Sequence, residues 1–169
     1  MKRVLPGTPI VAYQGDGDAY SIGIAETLNA AYRNENITMI CINNTNFGMT
    51  GGQMSWTTMP GQVTTTSPKG RDCEATGNPI RFPELVASQF NVAYAARGAV
   101  TTPKRVNTLK KYIKNALQAQ INKEGYSTVE VLSPCPTNWG LDALGSMKRI
   151  EEEIIPYYPL GEFKKREER

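Results

Sequence analysis

The sequence contains no histidine among its 169 residues. This absence removes the commonest general base, zinc ligand and member of a catalytic triad at once. Any chemistry must therefore depend on carboxylates, amides, backbone groups or a bound cofactor. Cysteine is scarce as well, since the three cysteines at positions 41, 73 and 135 are odd in number and widely spaced. Such a pattern argues against a disulfide framework and for a reducing compartment.

Long apolar runs are also missing, because no stretch approaches the roughly 20 apolar residues that a membrane-spanning helix needs. The first residues, from Met1 to Gly7, lack the apolar centre of a signal peptide. We therefore expect a cytoplasmic protein with no membrane partner. The net charge is only +3 and the basic residues are dispersed, which does not favour nucleic acid as a partner. With 40% hydrophobic and 21% charged residues, residues 1–169 are expected to form one domain.

What the sequence does contain is an alternation of strand and helix patterns. Residues 10–13 and 37–42 are short apolar runs typical of strands, and apolar residues recur at helical spacing from position 22 to 32. This βαβ unit predicts parallel strands with a right-handed crossover. Two further strands and two further helices are predicted at residues 92–97, 127–133, 82–90 and 103–122. The predicted fold class is α/β, an open, mostly parallel sheet with helices on both faces.

Two segments lack a regular pattern of this kind. Residues 43–80 are rich in Gly, Thr, Ser and Pro, and so long a connection is usually functional, so we predict a site loop with short helical turns. Toward the C-terminus a charged helical stretch is broken by Pro156 and Pro159, and we expect a charged tail from about residue 157.

In the predicted helix 103–122, the apolar stripe expected to face the sheet consists of Val106, Leu109, Ile113, Leu117 and Ile121.

Gly15, Asp16 and Gly17 follow the first predicted strand and precede the first helix. Glycines here permit a tight turn and the close approach of a ligand, and a helix N-terminus favours an anion such as phosphate. Asp16 offers a hard oxygen ligand for Mg²⁺, and Asn44 and the Asn46 carbonyl follow the neighbouring parallel strand at the same sheet edge. The alternative is an ordinary strand-to-helix turn, because short glycine motifs often occur by chance.

Three segments occur together and in one order: GDGDAYSIGIAETLNAA, INNTNFGMTGGQMS and VEVLSPCPTNWG. With them the sequence resembles, up to about Pro159, the thiamine-diphosphate-binding (beta) subunits of 2-oxoacid:ferredoxin oxidoreductases of the 2-ketoisovalerate or 2-oxoglutarate type. In that resemblance GDG followed by NN is the general thiamine-diphosphate signature, and TGGQ is more particular to the ferredoxin-linked group.

The resemblance implies that Asp16, the Asn44 side chain and the Asn46 carbonyl bind the Mg²⁺ that bridges the diphosphate. It implies that residues 50–53 close over the cofactor, which supplies the carbanion chemistry. The family's activating glutamate comes from a partner subunit, so Glu26 is expected to be a solvated helix residue and no catalytic residue is assigned. The full set of implied cofactor-binding residues is Gly15, Asp16, Gly17, Asp18, Asn43, Asn44, Gly48, Thr50, Gly51, Gly52 and Gln53.

In the family, a cysteine-containing segment precedes the GDG strand, whereas few residues precede Ile10 in this sequence. By position, Cys135 resembles the fourth ligand of a [4Fe–4S] cluster. Such clusters take four thiolates, so a cluster is expected only if a partner or a missing segment supplies the others. Cys41 is expected in the core and Cys73 as an exposed thiol.

Three basic residues lie near the predicted site. Lys69 and Arg71 belong to the long loop, and Arg97 ends a predicted strand. Each is able to meet a carboxylate or phosphate group, although an ordinary solvated position is the alternative for the two loop residues.

The resemblance implies part of an oxidoreductase that decarboxylates a 2-oxoacid, forms an acyl-coenzyme A and reduces ferredoxin, and that is inactive without its partner subunits. Among substrates, 2-ketoisovalerate is favoured and 2-oxoglutarate comes next. One alternative is a non-oxidative thiamine-diphosphate decarboxylase or synthase, against which TGGQ and Cys135 speak. Another is a non-catalytic assembly module that retains the fold, and this alternative predicts no cofactor binding.

Overall fold

A single five-stranded sheet organises the computed structural model, which describes residues 1–165. The strand order is β1-β2-β4-β3-β5, in which β1 to β4 run parallel and β5 is antiparallel to β3. The strands are β1 (Val11–Gly15), β2 (Thr38–Asn43), β3 (Tyr94–Ala99), β4 (Ser127–Leu132) and β5 (Gly161–Lys164). The helices are α1 (Ile24–Tyr32), α2 (Cys73–Thr76), α3 (Phe82–Gln89), α4 (Pro103–Ile121), α5 (Pro136–Trp139), α6 (Ala143–Arg149) and α7 (Ile155–Tyr157), with π-helical segments π1 (Asp18–Ile22) and π2 (Ile150–Ile154).

Helices cover both faces of the sheet, and every residue of the central strands β3 and β4 is buried as a result. On one face, α1 and α3 pack over Met39 and Cys41, and the Tyr20 ring stacks on Phe82 with centroids 4.6 Å apart. On the opposite face, α4 packs against β3 and β4. The predicted α/β fold class is confirmed. Within residues 1–165, no helix has both the length and the apolar character to cross a bilayer.

The buried face of α4 differs from the predicted apolar stripe. Leu109 is buried as expected, but Ile121 is 57% exposed, whereas Ala116 and Ala119 are fully buried. The Ala116 carbonyl accepts a hydrogen bond from the Ser127 hydroxyl of β4 at 2.9 Å. Small side chains let the helix backbone come this close to the sheet, and a pattern of large apolar residues does not reveal them.

The C-terminal segment contains β5, a strand that the sequence pattern did not predict. It pairs with residues 95–97 of β3, and the Tyr94 hydroxyl donates to Glu162 at 2.7 Å. The tail expected from about residue 157 thus contributes an edge strand. Residues 166–169 of that tail lie outside the described residues, and the single domain over the whole chain stays a prediction.

Arg97 lies at the centre of a buried charge network. Its side chain is 0% exposed, and it donates to both carboxylate oxygens of Glu84 in α3, at 2.6 and 2.7 Å, and through Nε to Glu130 in β4. It also donates to the Pro159 carbonyl at 3.0 Å, which ties the C-terminal segment to β3. The ligand contact considered for Arg97 does not agree with this arrangement, because the side chain is fully buried and Nε, Nη1 and Nη2 all donate to protein acceptors.

The charges of this network follow from its geometry. Burial alone would lower the pKa of Arg97, but the Glu130 and Glu84 carboxylates raise that pKa above its ordinary value, so the guanidinium stays charged. Burial raises the pKa of Glu130. The Arg97 guanidinium and the Asn43 amide oppose this rise in pKa, because both donate hydrogen bonds to the Glu130 oxygens.

We expect Arg97→Met to destabilise the fold strongly, because it leaves two carboxylates without their cation. Breaking a buried ion pair costs about 3–5 kcal/mol of unfolding free energy, which urea unfolding followed by circular dichroism measures. Arg105→Met is the matched control, since Arg105 makes a similar two-point pair with Glu151 while its side chain is 33% exposed. That change should cost about 1 kcal/mol or less. Equal losses in the two variants would contradict the importance of the buried network.

Candidate functional site

A cavity of about 270 Å³ lies where the turns after β1 and β2 face each other. The two strands pair in parallel, with Gly15 opposite Ile42, so their carboxyl ends meet at one edge of the sheet. The sequence-predicted site residues that line this cavity are Gly15, Asp16, Gly17, Asp18, Asn44, Asn46, Gly48 and Thr50, joined by Phe47 and Met49.

Asp16 is a buried carboxylate at the inner wall of the cavity. It is 1% exposed, and its Oδ2 accepts hydrogen bonds from the Ser55 hydroxyl at 2.8 Å and from the Thr57 hydroxyl. Burial raises its pKa from 3.8 to about 6, although these hydroxyls and the Asn44 backbone N–H favour the ionised form. Among residues 1–165, no lysine or arginine forms an ion pair with Asp16. A cation would complete this arrangement.

The turn after β2 presents further oxygen atoms beside Asp16. The Thr45 N–H donates to Asn43 Oδ1 at 3.0 Å, and the Asn46 N–H donates to Asn44 Oδ1 at 3.3 Å. Thr45 has a φ of 63°, in the left-handed region that β-branched residues rarely adopt. Asn46 is 2% exposed, and its Oδ1 has no hydrogen-bond partner within residues 1–165.

This donor set fits Mg²⁺. Asp16, Asn44 and Asn46 provide a carboxylate, amide oxygens and a backbone carbonyl, which are the hard ligands that Mg²⁺ prefers. Asn46 Oδ1 is buried without a partner, and the Asp16 carboxylate in the same cavity has no cation beside it in the described residues. A bound ion or ligand would satisfy both groups.

Two glycines allow the close packing around the cavity. A Cβ atom on Gly17 would lie 2.5 Å from the Phe47 ring, and one on Gly48 would lie 2.9 Å from Asn44 Nδ2. Either side chain would displace a residue that lines the cavity. The turn that the GDG motif predicts is therefore present, and it passes directly into π1 and α1.

Four predicted binding residues are not among the residues that line the cavity, and their cofactor role stays a prediction. Asn43 points into the protein, where its Nδ2 donates to Glu130 at 3.0 Å. Gln53 folds back on Thr50, with its Nε2 donating to the Thr50 carbonyl at 2.8 Å. Gly51 and Gly52 form the left-handed turn between them, with φ of 106° and 81°. The polar groups of this TGGQ segment thus serve the turn itself.

Arg71 organises the loop that supports Asp16. It is 5% exposed, and its Nη1 donates to the Ser55 carbonyl at 3.3 Å and to the Thr58 carbonyl at 2.6 Å. Neither a solvated position nor a ligand contact, the two expectations for Arg71, agrees with this burial. The predicted short helical turn in the loop is present as α2.

Sequence reasoning missed Ser55 and Thr57, which hold Asp16 directly. They lie 39 and 41 residues after it, in a segment with many hydroxyl residues, and no spacing distinguishes them. A third support was missed in the C-terminal segment, where the buried Tyr158 hydroxyl donates to the Thr57 carbonyl at 2.9 Å.

Cys135 lies beside the same edge of the sheet, immediately before α5. Asn138 Nδ2 donates to Cys135 Sγ at 3.2 Å and to the Gly48 carbonyl at 2.9 Å, so this cysteine is close to the cavity wall. Cys41 is buried, as expected, and Cys73 is partly exposed. Within residues 1–165 no three potential ligands of the His, Cys, Asp and Glu types are grouped as a metal site. The cluster role of Cys135 stays a prediction.

Comparison with known proteins identifies relatives that match most of the chain. Residues 1–131 match the family described as the C-terminal TPP binding domain of thiamine pyrophosphate enzymes. The chain is 43% identical over 157 residues to the ketoisovalerate oxidoreductase subunit VorA of Methanothermobacter thermautotrophicus, covering 93% of this chain and 33% of that protein. It is 38% identical over 141 residues to the 2-oxoglutarate synthase subunit KorB of Methanothermobacter marburgensis, covering 83% of this chain and 45% of that protein. The chain thus spans between a third and a half of the length of these relatives.

A solved structure shares the fold. It is 2-oxoglutarate:ferredoxin oxidoreductase from Magnetococcus marinus, with 2-oxoglutarate, coenzyme A and succinyl-CoA bound. The TM-score is 0.74 at 22% identity, and the match covers 99% of this chain and 60% of that one. At this level of identity the likeness describes the architecture.

We expect Mg²⁺ to stabilise the fold through Asp16 only while the Asp16 carboxyl is ionised. Because burial raises its pKa to about 6, the protonated group favours the folded state at low pH, and this contribution is lost as pH rises through about 6. A bound cation would offset the loss, which is about 3 kcal/mol at most. Mg²⁺ should therefore raise the Tm at about pH 7.5 and have little effect at about pH 5.

Two variants make this measurement specific. Asp16→Asn lacks the buried charge, so without metal at about pH 7.5 it should be at least as stable as the wild type, and its Tm should not respond to Mg²⁺. Glu26→Gln removes an exposed carboxylate of α1 and should respond to Mg²⁺ as the wild type does. A Mg²⁺ response that persists in Asp16→Asn would show that the ion binds elsewhere.

Proposed function

This chain belongs to the thiamine pyrophosphate enzymes as their C-terminal TPP-binding domain, and from that premise we propose that it forms the cofactor-binding part of a 2-oxoacid:ferredoxin oxidoreductase. One observation carries the proposal. Asp16 is buried and has no cationic partner in the described part of the chain. It shares a cavity with Asn44 and with Asn46, whose side-chain Oδ1 has no hydrogen-bond partner among the described residues. Thiamine diphosphate is the cofactor of the family, and its diphosphate would occupy this cavity.

Mg²⁺ would be held by the Asp16 carboxylate, the Asn44 side-chain oxygen and the Asn46 carbonyl. The described lining of the cavity has two carboxylates, on Asp16 and Asp18, and no lysine or arginine. Such a lining repels a bare diphosphate, and a divalent cation between carboxylate and phosphate reverses the local charge. We therefore propose that binding of thiamine diphosphate requires Mg²⁺.

The other lining residues would shape the cavity around the cofactor. Gly15 and Gly17 border it with backbone only, and the Phe47 ring lies against Gly17. Gly48 and Thr50 form the opposite wall, which the internal hydrogen bonds of the TGGQ segment support. Bound thiamine diphosphate supplies the carbon nucleophile and the electron sink for decarboxylation of a 2-oxoacid. The residues of this chain bind and orient it.

The substrate that we propose is a 2-oxoacid, with 2-ketoisovalerate ahead of 2-oxoglutarate. The identity of 43% to a ketoisovalerate oxidoreductase subunit, against 38% to a 2-oxoglutarate synthase subunit, supports this order. The complete reaction would form an acyl-coenzyme A and reduce ferredoxin in the cytoplasm. The chain spans about a third of the length of the ketoisovalerate oxidoreductase subunit VorA, so other subunits or further segments would supply the remaining functions.

A [4Fe–4S] cluster would need thiolates from outside the described residues. Cys135 lies next to the wall of the cofactor cavity through Asn138, so we propose it as one ligand of such a cluster. The remaining ligands would come from a partner subunit or a further segment. This placement would bring an electron acceptor close to the reacting centre.

Isothermal titration with thiamine diphosphate tests the cofactor assignment. We expect binding in the presence of Mg²⁺ and none when the metal is chelated. Asp16→Asn should weaken binding by at least about 100-fold because it removes the charged ligand, whereas Glu26→Gln should bind as the wild type does. If folded wild-type chain binds no cofactor, alone or with its co-purified subunits, the assembly-module alternative replaces this proposal.

Ferredoxin reduction by the complex isolated with this chain tests the substrate. We expect turnover to depend on coenzyme A, with a higher kcat/KM for 2-ketoisovalerate than for 2-oxoglutarate. A preference for 2-oxoglutarate would reverse the proposed order. Decarboxylation without ferredoxin or coenzyme A would favour the non-oxidative alternative.

A further inference from the structure

Glu130 lies behind the cofactor cavity, on the strand that pairs with β2, and is 0% exposed. Its two oxygens have separate partners. Oε2 accepts from Arg97 Nε, and Oε1 accepts from Asn43 Nδ2 at 3.0 Å. Because the nitrogen of the Asn43 amide must face this carboxylate, its oxygen faces the other way, where it accepts from the Thr45 N–H at 3.0 Å.

We infer that Glu130 is a positioning residue for the metal-binding turn, because its two acceptor oxygens set the orientation of the Asn43 amide and thereby the backbone at Thr45. The inference rests on the proposed function at one point, namely that Asn44 and Asn46, on either side of Thr45, hold Mg²⁺. Glu130 itself lines no part of the cavity among the residues described.

The backbone at Thr45 needs such support. A φ of 63° is unfavourable for a β-branched residue and persists only where the surroundings hold it. The Thr45 carbonyl accepts from the Thr58 hydroxyl at 2.7 Å and from Gln62 Nε2 at 3.2 Å, and the N–H is held by Asn43. Loss of the contact to Asn43 would let the residue relax and move both neighbouring asparagines.

Stability alone does not account for the composition of this network. Glu84, whose side chain is 27% exposed, already forms a two-point pair with Arg97. A second carboxylate with no exposure at all carries a desolvation cost that a neutral side chain of similar size would avoid. The second carboxylate is the one that reaches Asn43.

Glu130→Gln is a specific test because glutamine has one acceptor and one donor at the end of its side chain. Arg97 Nε requires the acceptor, so the new amide nitrogen would face Asn43. Asn43 then has to turn its oxygen toward residue 130, which places its nitrogen against the Thr45 N–H. Two donors would meet there, and the turn would lose the hydrogen bond that holds Thr45.

We expect Glu130→Gln to remain folded, because Arg97 and Glu84 form a neutral pair without it. The affinity for thiamine diphosphate with Mg²⁺ should fall about 10- to 100-fold, as is typical when a supporting contact behind a metal ligand is lost. Hydrogen exchange of the Thr45 amide, measured by NMR without any ligand, should become at least about tenfold faster.

Two further variants separate positioning from charge. Glu84→Gln removes the same charge from the same arginine but leaves the contact between Glu130 and Asn43, so cofactor affinity and Thr45 exchange should stay within about twofold of wild type. Asn43→Asp combined with Glu130→Gln restores the pairing, because the aspartate accepts both from the new amide nitrogen and from the Thr45 N–H. The double variant should regain most of the affinity and of the amide protection.

The outcomes distinguish this inference from the proposed function. Unchanged affinity and exchange in Glu130→Gln, or an equal loss in Glu84→Gln, would overturn the positioning role while cofactor binding by the wild type still stood. If the wild type binds no thiamine diphosphate, the proposed function fails, and Thr45 exchange in the three variants alone decides whether Glu130 positions the turn.

Discussion

The contact between Arg97 and its two carboxylates is the constraint on which the other parts of the structure depend. A charge that is fully buried is tolerated only when all its partners are in place. Its partners come from α3, from β4 and from the carbonyl of Pro159 before β5. One side chain therefore makes the docking of a helix, the pairing of central strands and the return of the C-terminal segment depend on one another. Through Glu130 and Asn43 the same network reaches the turn at the cavity.

Much of the fold and of the candidate site follows from local signals in the sequence. Alternating strand and helix patterns predict the parallel sheet, and GDG followed by NN predicts where two strand ends meet, since these signals depend on residues that are close together. The rest depends on contacts between distant residues. β5 forms because Arg97 and Tyr94 bind its segment, and α4 turns toward the sheet through alanines whose small size matters only against Ser127 and Thr38.

The site shows the same division. Asp16 and Asn44 are predictable because their chemistry and position are visible in the motif. Ser55 and Thr57 are not, because their roles depend on how Arg71 draws together the backbone of a long loop. Glu130 lies in an apolar run that predicts only a strand. Its role depends on Arg97 and Asn43, which are 33 and 87 residues away in the sequence.

Electrostatics and stability oppose each other at Asp16. The protein keeps a carboxylate in a position where burial raises its pKa, and it stabilises the charge with hydroxyls instead of a cationic side chain. A lysine or arginine in that position would pair with the carboxylate and so compete with a metal ion for it. Hydroxyl groups stabilise the charge only partly and leave it able to bind a cation, so a bound cation would add to the stability of the fold.

Amide side chains connect the loops of the site for a related reason. Asn43 links β4 to the turn after β2, and Asn138 links the Cys135 loop to the Gly48 carbonyl. The Asn43 amide donates on one side and accepts on the other, whereas Asn138 donates to both of its partners through Nδ2, so each amide links two segments without adding charge. A carboxylate at position 43 would face Glu130 with like charge, and at position 138 it would face the Gly48 carbonyl with no proton to donate. Neutral, directional links thus let three loops meet around Asp16 while its charge stays available to a cation.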